Sequence, residues 1–440
     1  ATMVPVVVSI SYVNYAIVAV LGGRLALPGK ADIGSLASYL VFVRQAALPI
    51  NQFTQQINFI LAALSGAERI FDLMDEKPEE DGGTVTLCRV TRGADGALAE
   101  CSEYTGMFAG KNLILITAEA FAKQVIDPER TPTLYRMATK GIQFTDYYQP
   151  AWGGSTTTGL VPADVGMCMK QAVYQDLFLT MGHQLQKLDY YSAAYHNHNA
   201  DYYDRNKTHT KLGYDRFLAR YGGLEGITPV WPESDLEMID ISVPQYIDQQ
   251  PFSIYYMTVS GHCGYSLKDN AMSRKNYDLV DYDGSEAVKC YLASQLELEK
   301  AMESLIRQLE EAGIADDTVI VISPDHYPYG LERSATWKNA KNYLKELYGV
   351  TEMNRFSRDN NALIIWSGCL EDKNLKVETP VYSLDILPTL SNLFGLNYDS
   401  RLLVGRDVFS DTEPLVLWPE YSWKTDKGTY DSGSRTFTPA

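Results

Sequence analysis

The sequence predicts an α/β protein: a mostly parallel sheet flanked by helices, preceded by an N-terminal helical segment arranged as a transmembrane hairpin. Three observations lead there. Short runs rich in Ile, Val, Leu and Tyr alternate with longer amphipathic patterns across most of the chain. The first part of the chain is far more apolar than the remainder. At 440 residues the chain is also long enough for two domains and a large buried core.

Taken in order, residues 4–22 are almost uncharged and reach the length needed to cross a bilayer, about 20 residues. Residues 36–64 form a second apolar run, but it carries Arg44, Pro49 and a stripe of Gln52, Gln55, Gln56 and Asn58. Such a helix needs protein or a cavity along its polar side. Residues 1–86 are therefore expected to be a membrane-inserted helical segment. Residues 87–104, "LCRVTRGADGALAECSEY", are polar, glycine-containing and aperiodic, as a linker would be. Just beyond, Gly106, Gly110 and Lys111 approach a phosphate-binding loop. The spacing is one residue short, and Asn112 stands where magnesium binding needs Ser or Thr.

From 105 to 440 the composition is that of a soluble domain. Buried strands are expected at 112–117, 253–259, 318–323 and 362–366. Helices are expected at 285–312 and at 384–394, the latter closed by Gly395. The formal net charge of −17 argues against a general nucleic-acid binder. The six cysteines are scattered with no Cys-x-x-Cys pair, which excludes a zinc ribbon and gives no disulfide framework.

In such sheets, sites lie beyond the carboxyl ends of the strands. Three strand ends carry suitable chemistry: Glu119 after "NLILITA", the pair Asp325-His326 after "TVIVISP", and His262 after "IYYMTVSG". An isolated strand-end glutamate is more often a solvated cap. Two carboxylates and an imidazole brought together suit one divalent ion, Mn²⁺, Mg²⁺ or Zn²⁺. The stretch 153–159, "GGSTTTG", is then a linker, an anion-binding turn, or a loop presenting a hydroxyl nucleophile beside that ion.

Several stretches occur together and in order: "KNLILITAEAF", "TPTLYRMATKGIQFTDYYQPAWGGST", "YYMTVSGH", "ISPDHYPYG" and "SLDILPTLSNLFGL". On them, residues from about 104 to 430 resemble the alkaline phosphatase/sulfatase superfamily, and within it the lipoteichoic acid synthase group. The resemblance implies an alkaline-phosphatase-like fold. It places Glu119, Thr156, Asp325 and His326 at that group's metal site, with Thr156 as nucleophile and Mn²⁺ as the usual ion. In "AYHNHNADYYDRN", His196 and Arg205 match substrate-contacting positions, as does His262 farther on; Tyr203 stands where an aromatic residue is usual. The bland alternative for His196 is a buried histidine satisfied by hydrogen bonds. His198 has no matched role and is expected at the surface.

The activity implied is phosphoglycerol transfer: Thr156 attacks a phosphatidylglycerol-type phosphodiester, and a glycerophosphate polymer or glycolipid accepts the group. The catalytic domain is implied to sit on the outer face of the cell membrane. A true sulfatase would need a Cys-x-Pro-x-Arg or Ser-x-Pro-x-Arg site, and the chain has neither. Beyond Thr158 the chain runs directly into "LVPADVGMCMK", a shorter connection than that group usually has. Separately, "SGAERIFDLMDEKPE" gives 1–86 a resemblance to the last membrane helices of an ABC exporter, which implies the cytoplasmic side instead. The other functions in contention are a phosphoethanolamine transferase or phosphodiesterase of the same superfamily, a catalytically silent polymer-binding domain, and an exporter fragment.

Overall fold

In a computed structural model the described residues are 3–75, 90–92, 98–100, 103–150 and 177–440. The chain divides into two compact units, 1–86 and 87–440.

The first unit is a pair of helices, α1 (Met3–Ala26) and α2 (Ile33–Asp75). They pack closely at Gly22, where an added Cβ would collide with the Leu36 side chain. Among the described residues only α1 contains a stretch, Val8–Ala26, long and apolar enough to cross a membrane. The longer α2 runs through Pro49, and among its described residues no stretch meets that test.

The second unit is built on an eight-stranded sheet. Its strands are β1 (Asn112–Ala118), β2 (Ile142–Phe144), β3 (Tyr191–His196), β4 (Arg216–Ala219), β5 (Phe252–Met257), β6 (Thr318–Pro324), β7 (Ile364–Trp366) and β8 (Lys376–Val377). They lie in the order β8-β2-β7-β6-β1-β5-β3-β4. Every pairing from β6 across to β4 is parallel; β7 runs antiparallel to both β6 and β2. The segment 362–366 is thus a strand as expected, but one of opposite direction.

The alternation of strand side chains makes two cores. Ile114, Ile116, Ile254, Tyr256, Ile320 and Ile322 face one of them. Leu113, Leu115, Tyr255, Met257, Val319 and Val321 face the other. Helices cover both faces because the central strands are apolar on both sides. On the first face lie α3 (Pro132–Lys140), α4 (Asp235–Ser242) and α5 (Glu286–Glu311); on the second lies α6 (Ile386–Leu393). Ser285 caps α5, its side chain accepting from Val288 N–H. Gly395 closes α6 at φ 65°, the left-handed conformation that glycine adopts without strain.

Gly106 and Gly110 form turns that lead into β1, and Lys111 Nζ binds Asp317 Oδ1 at 2.9 Å. A phosphate-binding loop instead follows a strand and opens a helix. Within 87–104, Val90–Arg92 and Leu98–Glu100 pair as an antiparallel ribbon. A four-stranded antiparallel meander from Val416 to Pro439 ends the chain.

Candidate active site

Register brings the first acidic residues together. β1 and β6 are parallel neighbours with Ala118 opposite Pro324, so the next residues along each strand, Glu119 and Asp325, emerge side by side. Asp325 Oδ1 accepts from the N–H groups of Ala120 at 2.8 Å and His326 at 2.7 Å. Ala120 sits at φ 50°, a costly conformation for a residue with a Cβ, at the turn that carries this contact. Helix α5 supports the turn from beneath: Tyr291 Oη donates to Ala120 O at 2.8 Å and Gln295 Nε2 to Glu119 O at 3.0 Å. Neither residue carries a sequence signal beyond its place on a buried helical face.

His326 donates Nδ1–H to its neighbour's carbonyl, Tyr327 O, at 2.9 Å. That leaves Nε2 with a lone pair, 3.2 Å from Asp325 Oδ2 and 3.5 Å from Glu119 Oε1. Glu119, Asp325 and His326 are all buried, and each offers a ligand atom within 4.8 Å of the others. Asp325 Oδ2 and His326 Nε2 have no hydrogen-bond partner. Buried polar atoms left unmatched are costly, and a cation between them would satisfy both. Two carboxylates and an imidazole oriented by a backbone carbonyl form a donor set that fits a divalent metal ion.

Across the sheet, β3 ends in His196, opposite Met257 of β5. Nδ1–H of His196 donates to Met257 O at 2.9 Å, and Nε2 accepts from Arg205 Nη1 at 3.1 Å. Burial, then the charge of Arg205, pushes the imidazole well below its ordinary pKa, so it is neutral. Both ring nitrogens are engaged by protein, so in this structure His196 is a buried histidine satisfied by hydrogen bonds.

Arg205 is 3% exposed and has no carboxylate partner among the described residues. Its guanidinium lies over the rings of Tyr202 at 5.4 Å and Tyr203 at 5.2 Å, and its Nε is unmatched. Tyr203 and Asp204 both take left-handed backbone, φ 57° and 54°, strain at the segment that presents the guanidinium. A buried, unpaired guanidinium of this kind suits an anion.

His262 is half-buried, its ring 4.8 Å from Trp231 and its Nδ1 3.3 Å from Cys263 O. Burial lowers its pKa; Asp325 and His326 are among its electrostatic neighbours, which places it near the Glu119, Asp325 and His326 cluster. His198 is not at the surface. Its Nδ1 lies 2.8 Å from Glu233 Oε1, which also binds Arg220 Nη1 at 2.7 Å, and its ring is 4.9 Å from Tyr202 and 5.0 Å from Trp231. The sequence offered no partner for it, because Trp231 and Glu233 lie on a separate loop.

Asp235 is another residue with no sequence signal. It accepts from Val259 N–H, Ser260 N–H and Oγ, and Asn197 Nδ2, so it ties the loop before His262 to the one after His196. Burial pushes its carboxyl up to about 6 against those hydrogen bonds. Thr156 and the stretch 153–159 lie outside the described residues.

Comparison with known proteins agrees with this fold. The family model for Sulfatase matches residues 111–396. The chain is 25% identical over 350 residues to lipoteichoic acid synthase 1 of Bacillus subtilis (strain 168), covering 74% of this chain and 53% of that protein. It is 24% identical over 344 residues to the lipoteichoic acid synthase of Staphylococcus aureus (strain USA300), covering 72% and 50%. The chain thus spans about half the length of these curated relatives. Among solved structures, a lipoteichoic acid synthase from Listeria monocytogenes superposes with a TM-score of 0.62 at 21% identity, covering 78% of this chain and 86% of that one. An alkaline phosphatase superfamily protein from Vibrio parahaemolyticus gives 0.57 at 16% identity, covering 78% and 84%.

Proposed function

The chain belongs to the sulfatase family, and on that footing we propose that it is a metal-dependent phosphoglycerol transferase acting on a phosphatidylglycerol-type phosphodiester. The observation that carries the reading is Arg205, a buried cation without a carboxylate partner among the described residues, with Glu119 of the metal cluster among its charged neighbours. Such an arrangement suits an anionic group with one side toward a metal and the other toward a guanidinium. The absence of a formylglycine motif favours phosphate over sulfate esters. The likeness to lipoteichoic acid synthases favours a glycerophosphate head group.

Glu119, Asp325 and His326 would hold one divalent ion, with Mn²⁺ the reading that the family resemblance favours. When bound, it supplies Lewis-acid stabilisation of charge on the phosphoryl oxygens. Arg205, fixed by His196 and by the Tyr202 and Tyr203 rings, neutralises a non-bridging oxygen. Thr156 is the proposed nucleophile: its hydroxyl oxygen forms the new bond to phosphorus and gives up its proton. The diacylglycerol oxygen leaves with its bond to phosphorus broken and takes up a proton in its place. Glycerophospho-threonine remains. A hydroxyl of the acceptor, a glycerophosphate polymer or glycolipid, then attacks the same phosphorus and restores Thr156. His262 stands at the edge of the cleft as a neutral imidazole suited to bind a hydroxyl. The α1 stretch Val8–Ala26 serves as a membrane anchor, and the catalytic unit works at the outer face where its lipid is presented.

The test uses the full chain in detergent with fluorescent phosphatidylglycerol and Mn²⁺. Wild type is expected to release diacylglycerol only with metal, and Thr156→Ala to lose that release by at least about 10³-fold. Metal-dependent release that persists in Thr156→Ala sinks the nucleophile assignment. Metal binding without turnover by wild type sinks the transferase reading in favour of a silent binding domain.

A further inference from the structure

We propose that Tyr329 is a further catalytic residue, its phenolic O–H donating a hydrogen bond to a phosphoryl oxygen held beside Glu119, Asp325 and His326. The inference rests on the phosphoryl-transfer reading above and adds a donor to it. Tyr329 opens a short 3₁₀ turn, Tyr329–Leu331, just after the Asp325-His326 pair. Its ring packs on the His326 imidazole with centroids 4.4 Å apart and on Trp337 at 6.1 Å.

The turn is rigidly seated. Leu331 is buried, and a Cβ at Gly330 would lie 2.6 Å from Cys263 Cβ and 2.9 Å from Tyr265 Cε2. Asn339 Nδ2 binds Gly330 O at 2.9 Å and Glu332 O at 2.7 Å. The ring therefore has little freedom to swing away from the cleft.

The groups in electrostatic reach of its hydroxyl are Glu119, Cys263, Asp325 and Tyr203. They belong to both sides of the site: the metal cluster on one and the arginine-stacking tyrosine on the other. Its backbone N–H and carbonyl make turn contacts, but the hydroxyl has no hydrogen-bond partner among the described residues. Several buried tyrosines of the domain do have one: Tyr147 and Tyr190 donate to Gln149 and Lys111, and Tyr291 to Ala120, whereas the hydroxyl of Tyr195, also unmatched, lies in the apolar core away from the cluster. An unmatched phenol facing a cluster of acceptors is complementary to an oxyanion that binds between metal and guanidinium.

Tyr329→Phe keeps the stacking and removes only the O–H, so it separates this role from a structural one. In the full chain loaded with Mn²⁺, calorimetric titration with inorganic phosphate is expected to give a Kd about 10-fold weaker for Tyr329→Phe than for wild type, with unchanged Mn²⁺ affinity. Turnover of bis(p-nitrophenyl) phosphate should fall in kcat by about the same factor or more. Unchanged phosphate affinity overturns the proposal. So does a parallel loss of Mn²⁺ affinity, which would mean that the ring acts by holding His326, and so does a wild-type protein that binds Mn²⁺ but no phosphate. If phosphate binding depends on Tyr329 while wild type leaves phosphatidylglycerol untouched, the donor role stands and the phosphoglycerol reading fails.

Discussion

Arg205 carries a positive charge into a pocket where His196 Nε2, two tyrosine faces and a backbone carbonyl receive it but, among the described residues, no carboxylate pairs with it. Such a charge costs several kcal/mol to bury and is tolerated where a ligand supplies the counter-charge. Arg205→Met is therefore expected to leave the apo protein within about 1 kcal/mol of wild type in chemical denaturation. The same variant should lose phosphate-induced thermal protection and at least about 10²-fold in kcat/KM. A large loss of apo stability would instead make Arg205 a structural residue. A second prediction concerns His209, fully buried between Phe217 and Tyr255, with Nδ1 3.1 Å from Arg205 O. Burial, then the charge of Arg205, drops its pKa to about 3 from the ordinary 6.5. Between those values the unfolded chain binds a proton that the folded chain does not, so stability falls as pH falls. His209→Phe should flatten the stability–pH slope between pH 6 and 4 by about 1.4 kcal/mol per pH unit; an unchanged slope shows that His209 titrates normally.

At the scale of elements, the Glu119, Asp325 and His326 cluster depends on how closely three backbones approach. A Cβ at Gly261 would fall well inside contact distance of Glu119 O and of Gln295 Nε2, the pair that holds the end of β1 against α5. Gly261→Ala is expected to push the end of β1 away from β6 and weaken Mn²⁺ binding by about 10-fold or more. Gln295→Ala should do so less, because Tyr291 still holds Ala120 O. Equal metal affinity in wild type and Gly261→Ala, measured by calorimetry, would show that the turn relaxes without moving Glu119. The strand ends themselves were legible as soon as an α/β rhythm was assumed, and Glu119, Asp325, His326 and His262 followed from it. The strand Tyr191–His196 was not legible as a strand. Its centre is Ser-Ala-Ala, small residues that give no β signal; it is a strand because β5 and β4 pair with it on either side.

For the whole molecule, the unmatched Asp325 Oδ2 and His326 Nε2 predict that metal stabilises the folded domain. A ligand that binds only the folded state adds about 2.7 kcal/mol at 100 times its Kd. Mn²⁺ should therefore raise the melting temperature of the full chain by several degrees in a concentration-dependent way, EDTA should reverse the rise, and Asp325→Ala should abolish it. No metal-dependent shift in wild type would remove the cluster as a metal site. The membrane reading belongs to α1 alone, among the described residues. Accessibility labelling of a cysteine placed on the catalytic unit distinguishes the two compartments that the N-terminal and C-terminal resemblances imply.

What the sequence determined by itself was the layered α/β architecture, its central strands and the order of its motifs, because side-chain alternation and strand-end position are local properties of the chain. The tertiary structure decided what those residues do to one another. Parallel register set Glu119 beside Asp325, and strand pairing turned His196 inward so that both its nitrogens serve the protein. His198 was drawn off the expected surface by Glu233 and Trp231, and Asp235, Tyr291 and Gln295 gained contacts that no local pattern carries. Each of these depends on contact between segments distant in the chain, and such contacts exist only once the sheet has brought the loops to one edge.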